Sequence, residues 1–136
     1  MNDNIRFKEE MKARLKKFVL DLIKLCLGLP NSYEANIIKN QLLRSGSSVY
    51  ANYRAACRAR SKAEFFSKIS IVVEEADETE MWLDLLIDSS ISETPNFRTM
   101  INIQKSTTYL LNHSKHESYY PSTNQSFSPS PNQSLQ

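Results

Sequence analysis

The chain has 136 residues, of which 40% are hydrophobic and 24% charged, so one globular domain with a single core is expected. Its net charge of +2 gives no whole-chain argument for binding nucleic acid or a membrane surface. Two glycines are too few for a turn-rich β protein, and the prolines lie outside the periodic segments. This composition favours long helices with few breaks.

The first predicted helix covers about residues 5–27. Its apolar residues form two adjacent stripes: Met11, Leu15, Phe18, Leu22, Leu25 and Leu29, with Val19, Ile23 and Cys26 beside them. A face this wide indicates burial on two sides. Gly28 and Pro30 are expected to end the helix, because glycine suits a left-handed C-terminal position and proline cannot continue the hydrogen-bond ladder.

The second predicted helix begins at a capping pattern of Asn31 and Glu34 and continues to about residue 60. Its buried stripe is Leu42, Gly46, Val49, Tyr53 and Ala56, and its opposite stripe is Asn40, Arg44, Ser47, Ala51, Arg54 and Arg58. The stripe keeps its phase across Gly46, which favours one continuous helix despite the low helix propensity of residues 45–48. Small residues on one flank favour close packing of a neighbouring helix.

The third predicted helix begins after Ser61, whose spacing from Glu64 repeats the capping pattern, and covers residues 62–88. Its predicted core face is Phe65, Ile69, Val72, Val73, Ala76, Leu83 and Ile87. Glu80 interrupts this face, so it is expected to be partly buried and to pair with a basic or amide group, for which Arg44 and Asn52 are the candidates on the second helix. An unpaired carboxylate there would be costly or would titrate as the neutral acid.

Thr94 before Pro95 predicts the start of a fourth helix, with Phe97, Met100, Ile101, Thr108 and Leu111 inward. Residues 116–136 are rich in Ser, Pro, Asn and Gln, which predicts a disordered tail. The expected fold is therefore all-α: an antiparallel up-down-up-down four-helix bundle over residues 1–115, followed by that tail.

The segments NQLLRSGSSVYANYRAACRARSKAEF and EEADETEMWLDLL resemble the 23S rRNA intervening-sequence protein family over about residues 5–115. Its members are small bacterial helical bundles, some encoded inside intervening sequences of the large rRNA gene. Similar proteins, the accessory variability determinants of diversity-generating retroelements, form basic, barrel-shaped pentamers that engage a reverse transcriptase and nucleic acid. The resemblance implies a homopentamer with nucleic acid and a nucleic-acid enzyme as partners. Glu80 departs from the family pattern, in which an apolar residue is expected.

Charge is unevenly distributed along the central helices. Residues 39–68 hold seven bases and one acid, whereas residues 74–88 hold seven acids and no base. The candidate nucleic-acid-binding residues are Arg54, Arg58, Arg60, Lys62 and Lys68. The alternative is ion pairing with the acids of the third helix, which the local complementarity of sign favours. Arg44 is expected to be a buried structural ion, and Tyr50 fits either base stacking or packing.

Catalytic and metal-binding patterns are lacking in the sequence. His113 and His116 have no carboxylate or thiol ligand placed with them, so no metal is expected. No Glu-x-x-His motif and no local hydrolase signature is present, so neither an enzyme nor a cofactor nor a small-molecule substrate is predicted. Cys26 and Cys57 are expected to be reduced in the cytoplasm, and no signal peptide or membrane span is indicated.

Surplus apolar surface suggests assembly. Ile71, Trp82 and Leu85 lie off the predicted core face of the third helix and are the candidate subunit interface, with Trp82 as its anchor. The leading hypothesis is a non-enzymatic, homo-oligomeric binding or scaffold protein that contacts RNA or DNA. The alternative is a protein-binding adaptor with no nucleic-acid contact.

Overall fold

The computed structural model describes residues 2–91, together with Asn102 and Lys105, which are both helical. Within that part of the chain the structure is all-helical and has no strand. The predicted start of a fourth helix at Thr94, the two histidines and the tail at 116–136 lie outside the described residues.

Three long helices make up this part of the chain. They are α1 (Asp3–Gly28), α2 (Tyr33–Ala56) and α3 (Lys62–Asp88). Helix α2 is continuous through its Ser45–Ser48 stretch, as the unbroken phase of its buried stripe predicts. All five residues predicted for that stripe are buried, and all six on the opposite stripe are exposed.

The end of α1 differs in one respect from the prediction. Gly28 is the last helical residue, but no glycine in the described residues has a positive φ, so the predicted left-handed conformation is wrong. Leu29 is instead extended, with φ −80° and ψ 150°. It precedes Pro30, whose ring disfavours helical geometry in the residue before it, so the proline alone ends the helix.

The ends of α2 also differ from the prediction. Ser32, not Asn31, caps the helix, because its hydroxyl accepts a hydrogen bond of 3.2 Å from the amide of Ala35. The helix ends at Ala56 rather than near residue 60, since the next amides bond in a tighter pattern. Those of Arg58 and Ala59 each donate to the carbonyl three residues back, at 3.0 Å.

Helix α3 has the predicted bounds. The Ser61 hydroxyl accepts a hydrogen bond of 3.1 Å from the Glu64 amide, while the Glu64 carboxylate accepts one of 2.9 Å from the Arg60 amide. Together these bonds fix a short corner between α2 and α3, over residues 57–61. Serine before a glutamate-containing first turn therefore predicts this helix start correctly.

Helix α2 packs against both α1 and α3. Leu22 of α1 lies against the backbone at Gly46, and the Cys26 thiol of α1 lies 4.0 Å from the Lys39 carbonyl near the start of α2. The core has two clusters. One includes Phe18, Leu22, Leu42, Leu83 and Leu86, and the other includes Met11, Leu15, Val49, Tyr53, Phe65, Ile69 and Val72. The second cluster lies beneath the corner between α2 and α3.

The buried face of α3 is shifted from the predicted one. Thr79 and Leu86 are fully buried, whereas Val73, Glu80 and Ile87 are only half-buried. The polar residue in the core is therefore Thr79, whose hydroxyl lies 2.8 Å from that of Ser45 and 2.7 Å from the Glu75 carbonyl. Because those partners satisfy the hydroxyl, a threonine can occupy this position without an unpaired polar group.

Candidate nucleic-acid interface

Basic side chains gather at the corner where α2 ends and α3 begins. Arg54, Arg58, Arg60 and Lys62 are all exposed there, and Lys68 is half-buried one to two turns further along α3. The corner places three of these bases within five residues, because only residues 57–61 separate α2 from α3. The structure therefore brings the sequence-predicted basic residues together at one end of the helices, and these five residues form the basic corner.

Two of these cations lie over aromatic rings. The Arg54 guanidinium carbon is 5.7 Å from the centroid of the Tyr50 ring, and the Lys62 ammonium is 5.7 Å from that of Phe66. Both rings are half-buried against the core cluster beneath the corner. Each contact holds a long side chain in place while leaving its charge at the surface.

The ion pairs of the described residues separate two groups of bases. Arg60 lies 3.8 Å from the Glu64 carboxylate, so its charge is partly balanced within its own turn. In residues 2–91, Arg54, Arg58, Lys62 and Lys68 make no ion pair at all. Within the described residues, no carboxylate therefore neutralises these four cations.

Helix α1 adds two bases that the sequence analysis did not identify. The first part of α1 lies beside the end of α2, because Met11 and Cys57 pack in one core cluster. Lys8 and Lys12 belong to that part of α1, and their charges oppose the rise that burial causes in the pKa of the Cys57 thiol. Lys12 donates a hydrogen bond of 2.8 Å to Glu9, and that bond raises the pKa of Lys12. A count of charges along the sequence does not identify these lysines, because they join the corner only through the packing of α1 against α2.

Arg44 belongs to a different surface. It is exposed, with 48% of its side chain accessible, so the prediction of a buried ion is wrong. It makes ion pairs with Glu75 and Glu78 of α3, and its Nε donates a 2.9 Å hydrogen bond to Gln41. The Glu78 carboxylate also accepts a 3.2 Å hydrogen bond from Trp82 Nε1. For Arg44, ion pairing within the chain is therefore the correct interpretation.

Glu80 and Asn52 do not pair with each other or with Arg44. Glu80 is half-buried, and its carboxylate lies 3.5 Å from the Lys105 ammonium. Asn52 donates a 2.9 Å hydrogen bond to the Ser48 carbonyl of its own helix. The predicted partial burial of Glu80 and its pairing with a basic group are confirmed, but the partner is neither Arg44 nor Asn52. At this level of α3 it is Thr79 that faces α2, where its hydroxyl lies against that of Ser45.

The three residues of the candidate subunit interface differ in exposure. Leu85 is 47% exposed, whereas Ile71 and Trp82 are half-buried. Trp82 packs against the core cluster that contains Phe18. Its role as an interface anchor stays a prediction.

No group of three His, Cys, Asp or Glu side chains in the described part of the chain is placed to hold a metal ion. None of the described helices is long and apolar enough to cross a membrane.

Comparison with known proteins gives the family. The sequence model of the 23S rRNA-intervening sequence protein family matches residues 8–113, which is most of the chain. The chain belongs to that family. A match of this extent includes α2, α3 and nearly all of α1, so the basic corner is part of the family domain.

A solved structure supports the fold of this 23S rRNA-intervening sequence protein. It is a protein of unknown function from the S23 ribosomal protein family of Bacteroides thetaiotaomicron, 32% identical to this chain, with a TM-score of 0.72. The match covers 78% of this chain and 95% of that one. No curated protein matches the sequence.

Proposed function

We propose that this 23S rRNA-intervening sequence protein is a non-enzymatic, homo-oligomeric binding protein that contacts RNA or DNA through the basic corner. The observation that carries the proposal is the set of four bases, Arg54, Arg58, Lys62 and Lys68, that have no ion pair within residues 2–91. Arg44, in contrast, is neutralised by α3. Bases grouped at one end and left unpaired favour a polyanion as ligand, because each phosphate contact releases a condensed counterion.

Lys8 enlarges this surface from α1, whereas the charge of Lys12 is balanced by its ion pair with Glu9. Tyr50 and Phe66 contribute aromatic rings beside Arg54 and Lys62, an arrangement typical of surfaces that accept phosphate and base together. The contacts are thus supplied by three helices around one corner. A binding surface of this kind positions a nucleic acid rather than transforming it.

The wider architecture is part of the same proposal. We infer that a helix beginning near Thr94 completes an up-down-up-down bundle, and that five copies assemble as in the resembling accessory variability determinant proteins. The protein then acts in the bacterial cytoplasm as a scaffold for nucleic acid and a nucleic-acid enzyme. Lys105, helical and paired with Glu80 of α3, supports a further helix packed on α3.

The experiment measures binding of a fluorescent single-stranded RNA and a DNA duplex at several salt concentrations. Affinity should fall steeply with salt, and Arg54→Gln with Arg58→Gln should reduce the salt slope by about one for each phosphate that is no longer neutralised. The matched control, Lys17→Gln with Lys39→Gln, removes two charges away from the corner, since Lys17 pairs with Asp21 and Lys39 adjoins Cys26. No binding at low salt would reject the proposal and leave the protein-binding adaptor.

A further inference from the structure

The outer face of α1 combines exposed apolar side chains with lysines. Leu20, Ile23 and Leu27 are 48%, 40% and 81% exposed, on the side of the helix away from its buried residues. Lys16 and Lys24 lie on the same face, and neither forms an ion pair in the described part of the chain. This face is apolar and basic.

The outer face of α3 has the opposite charge. Met81 and Leu85 are 45% and 47% exposed. Glu74, Asp77 and Asp84 are exposed around them, and none of these carboxylates forms an ion pair with another described residue. This face is apolar and acidic.

The two faces belong to helices whose backbones are not direct neighbours. Helix α2 packs against both α1 and α3, but no Cα atom of α1 lies within 8 Å of a Cα atom of α3. Both helices bury their other sides in the same two core clusters. The outer faces lie opposite those buried sides, so each points outward from the core and the two cannot meet within one chain.

The faces also lie at the same height. Leu22 of α1 lies against Gly46, and the neighbouring Ser45 hydroxyl is bonded to Thr79 of α3, so Leu22 and Thr79 mark one level across the molecule. Later residues of α1 meet earlier residues of α2, with Leu22 at Gly46 and Cys26 at Lys39. Helix α3 returns along α2 from the corner at residues 57–61 to the contact of Thr79 with Ser45, so α1 and α3 point the same way. Leu20 and Asp77 precede that level by two residues each, and Leu27 and Asp84 follow it by five.

We propose that the outer face of α1 on one copy packs against the outer face of α3 on the next copy. Lys16 and Lys24 then meet the carboxylates of α3, and the apolar side chains of the two faces pack together. A contact between two different faces is heterologous, and equal height places successive copies side by side with little translation along the helix axes. This inference rests on the homo-oligomer of the proposed function and identifies its interface.

Charge reversal tests the pairing, with the mass of the full chain in solution as the readout. Lys16→Glu with Lys24→Glu, or Asp77→Lys with Asp84→Lys, should reduce the mass to that of the 15.7 kDa monomer while leaving the helical circular dichroism unchanged. All four changes in one chain should restore the wild-type mass, because both faces are then reversed. Asn40→Glu with Ala51→Glu, on the exposed face of α2, is the control and should keep the wild-type mass.

The possible failures separate the two proposals. A wild-type protein of monomer mass would overturn both the oligomer and this interface, and is the result expected if residues 92–136 cover these faces instead. A wild-type oligomer whose mass neither double variant changes would overturn the interface alone. Monomeric double variants that the fourfold variant fails to rescue would show that the two faces do not meet each other. Nucleic-acid binding does not enter this readout.

Discussion

The hydroxyl groups of Ser45 and Thr79 lie 2.8 Å apart between α2 and α3, and both side chains are completely buried. Ser45 in turn lies 2.8 Å from the Gln41 carbonyl, so a chain of hydrogen bonds connects the backbone of α2 to the side chain of α3. Thr79 has a second acceptor in the Glu75 carbonyl. The pair fixes how the two helices are aligned along their length.

Removing either hydroxyl should have a modest effect on stability. Ser45→Ala leaves Thr79 donating to Glu75, and Thr79→Val leaves Ser45 donating to Gln41, so each should cost about 1 kcal/mol. The double variant should cost less than the sum, since the second change no longer breaks the shared bond. Urea unfolding at one protein concentration measures all four proteins. Strict additivity would contradict a direct interaction between the two hydroxyls.

Gly46 and Gly28 should respond in opposite directions to alanine. A Cβ at Gly46 would lie well inside 3.0 Å of the buried Leu22 side chain, so Gly46→Ala should destabilise the protein by about 1–3 kcal/mol through overpacking. Gly28 is helical with no atom within 4 Å of a built Cβ, so Gly28→Ala should be neutral or stabilise by up to about 1 kcal/mol. Thermal unfolding of both variants gives the comparison. Equal effects would mean that α1 does not approach α2 at Gly46.

The pattern of small and apolar residues predicted α2 well because a single periodicity determines which side of that helix is buried. On α3 the pattern is ambiguous, since Val72 and Val73, and likewise Leu86 and Ile87, are adjacent apolar pairs. The choice between two phases depended on whether Thr79 or Glu80 could be buried. That depends on Ser45, a partner on another helix, which no pattern within α3 contains.

The candidate nucleic-acid interface was predictable only where its residues lie near one another in sequence. The bases of the corner lie close together in sequence, whereas Lys8 and Lys12 join them only because α1 packs beside the end of α2. Arg44 has the same charge and the same exposed stripe as Arg54, and only the fold shows that Glu75 and Glu78 neutralise one and not the other. Which bases remain available is therefore a property of helix pairing.

The two cysteines should be poorly reactive near neutral pH. Burial raises the pKa of both thiols above the ordinary 9.0, so the reactive thiolate is scarcer than in a free peptide at any pH below the raised value. Alkylation by iodoacetamide should keep accelerating above pH 9. Lys12→Met should slow Cys57 further, because Lys12 lowers its pKa, and leave Cys26 unaffected. Mass spectrometry of each site reports both rates, and equal slowing at the two sites would contradict the assignment.

Substituting Trp82 distinguishes a role in the stability of the single chain from a role in subunit assembly. It packs against the core cluster of its own chain and donates a 3.2 Å hydrogen bond to Glu78, so Trp82→Ala should cost about 2 kcal/mol, below the roughly 3–5 kcal/mol of a fully buried tryptophan. If Trp82 is instead an interface anchor, Trp82→Ala should reduce the mass in solution and preserve stability.

Leu85→Ala is the matched comparison, since Leu85 is more exposed and its substitution should affect the mass more than the free energy of unfolding. Both variants are measured by light scattering and by urea unfolding at one fixed concentration, because dissociation also shifts the midpoint. A Trp82→Ala protein that is monomeric and as stable as the wild type would place the tryptophan between subunits.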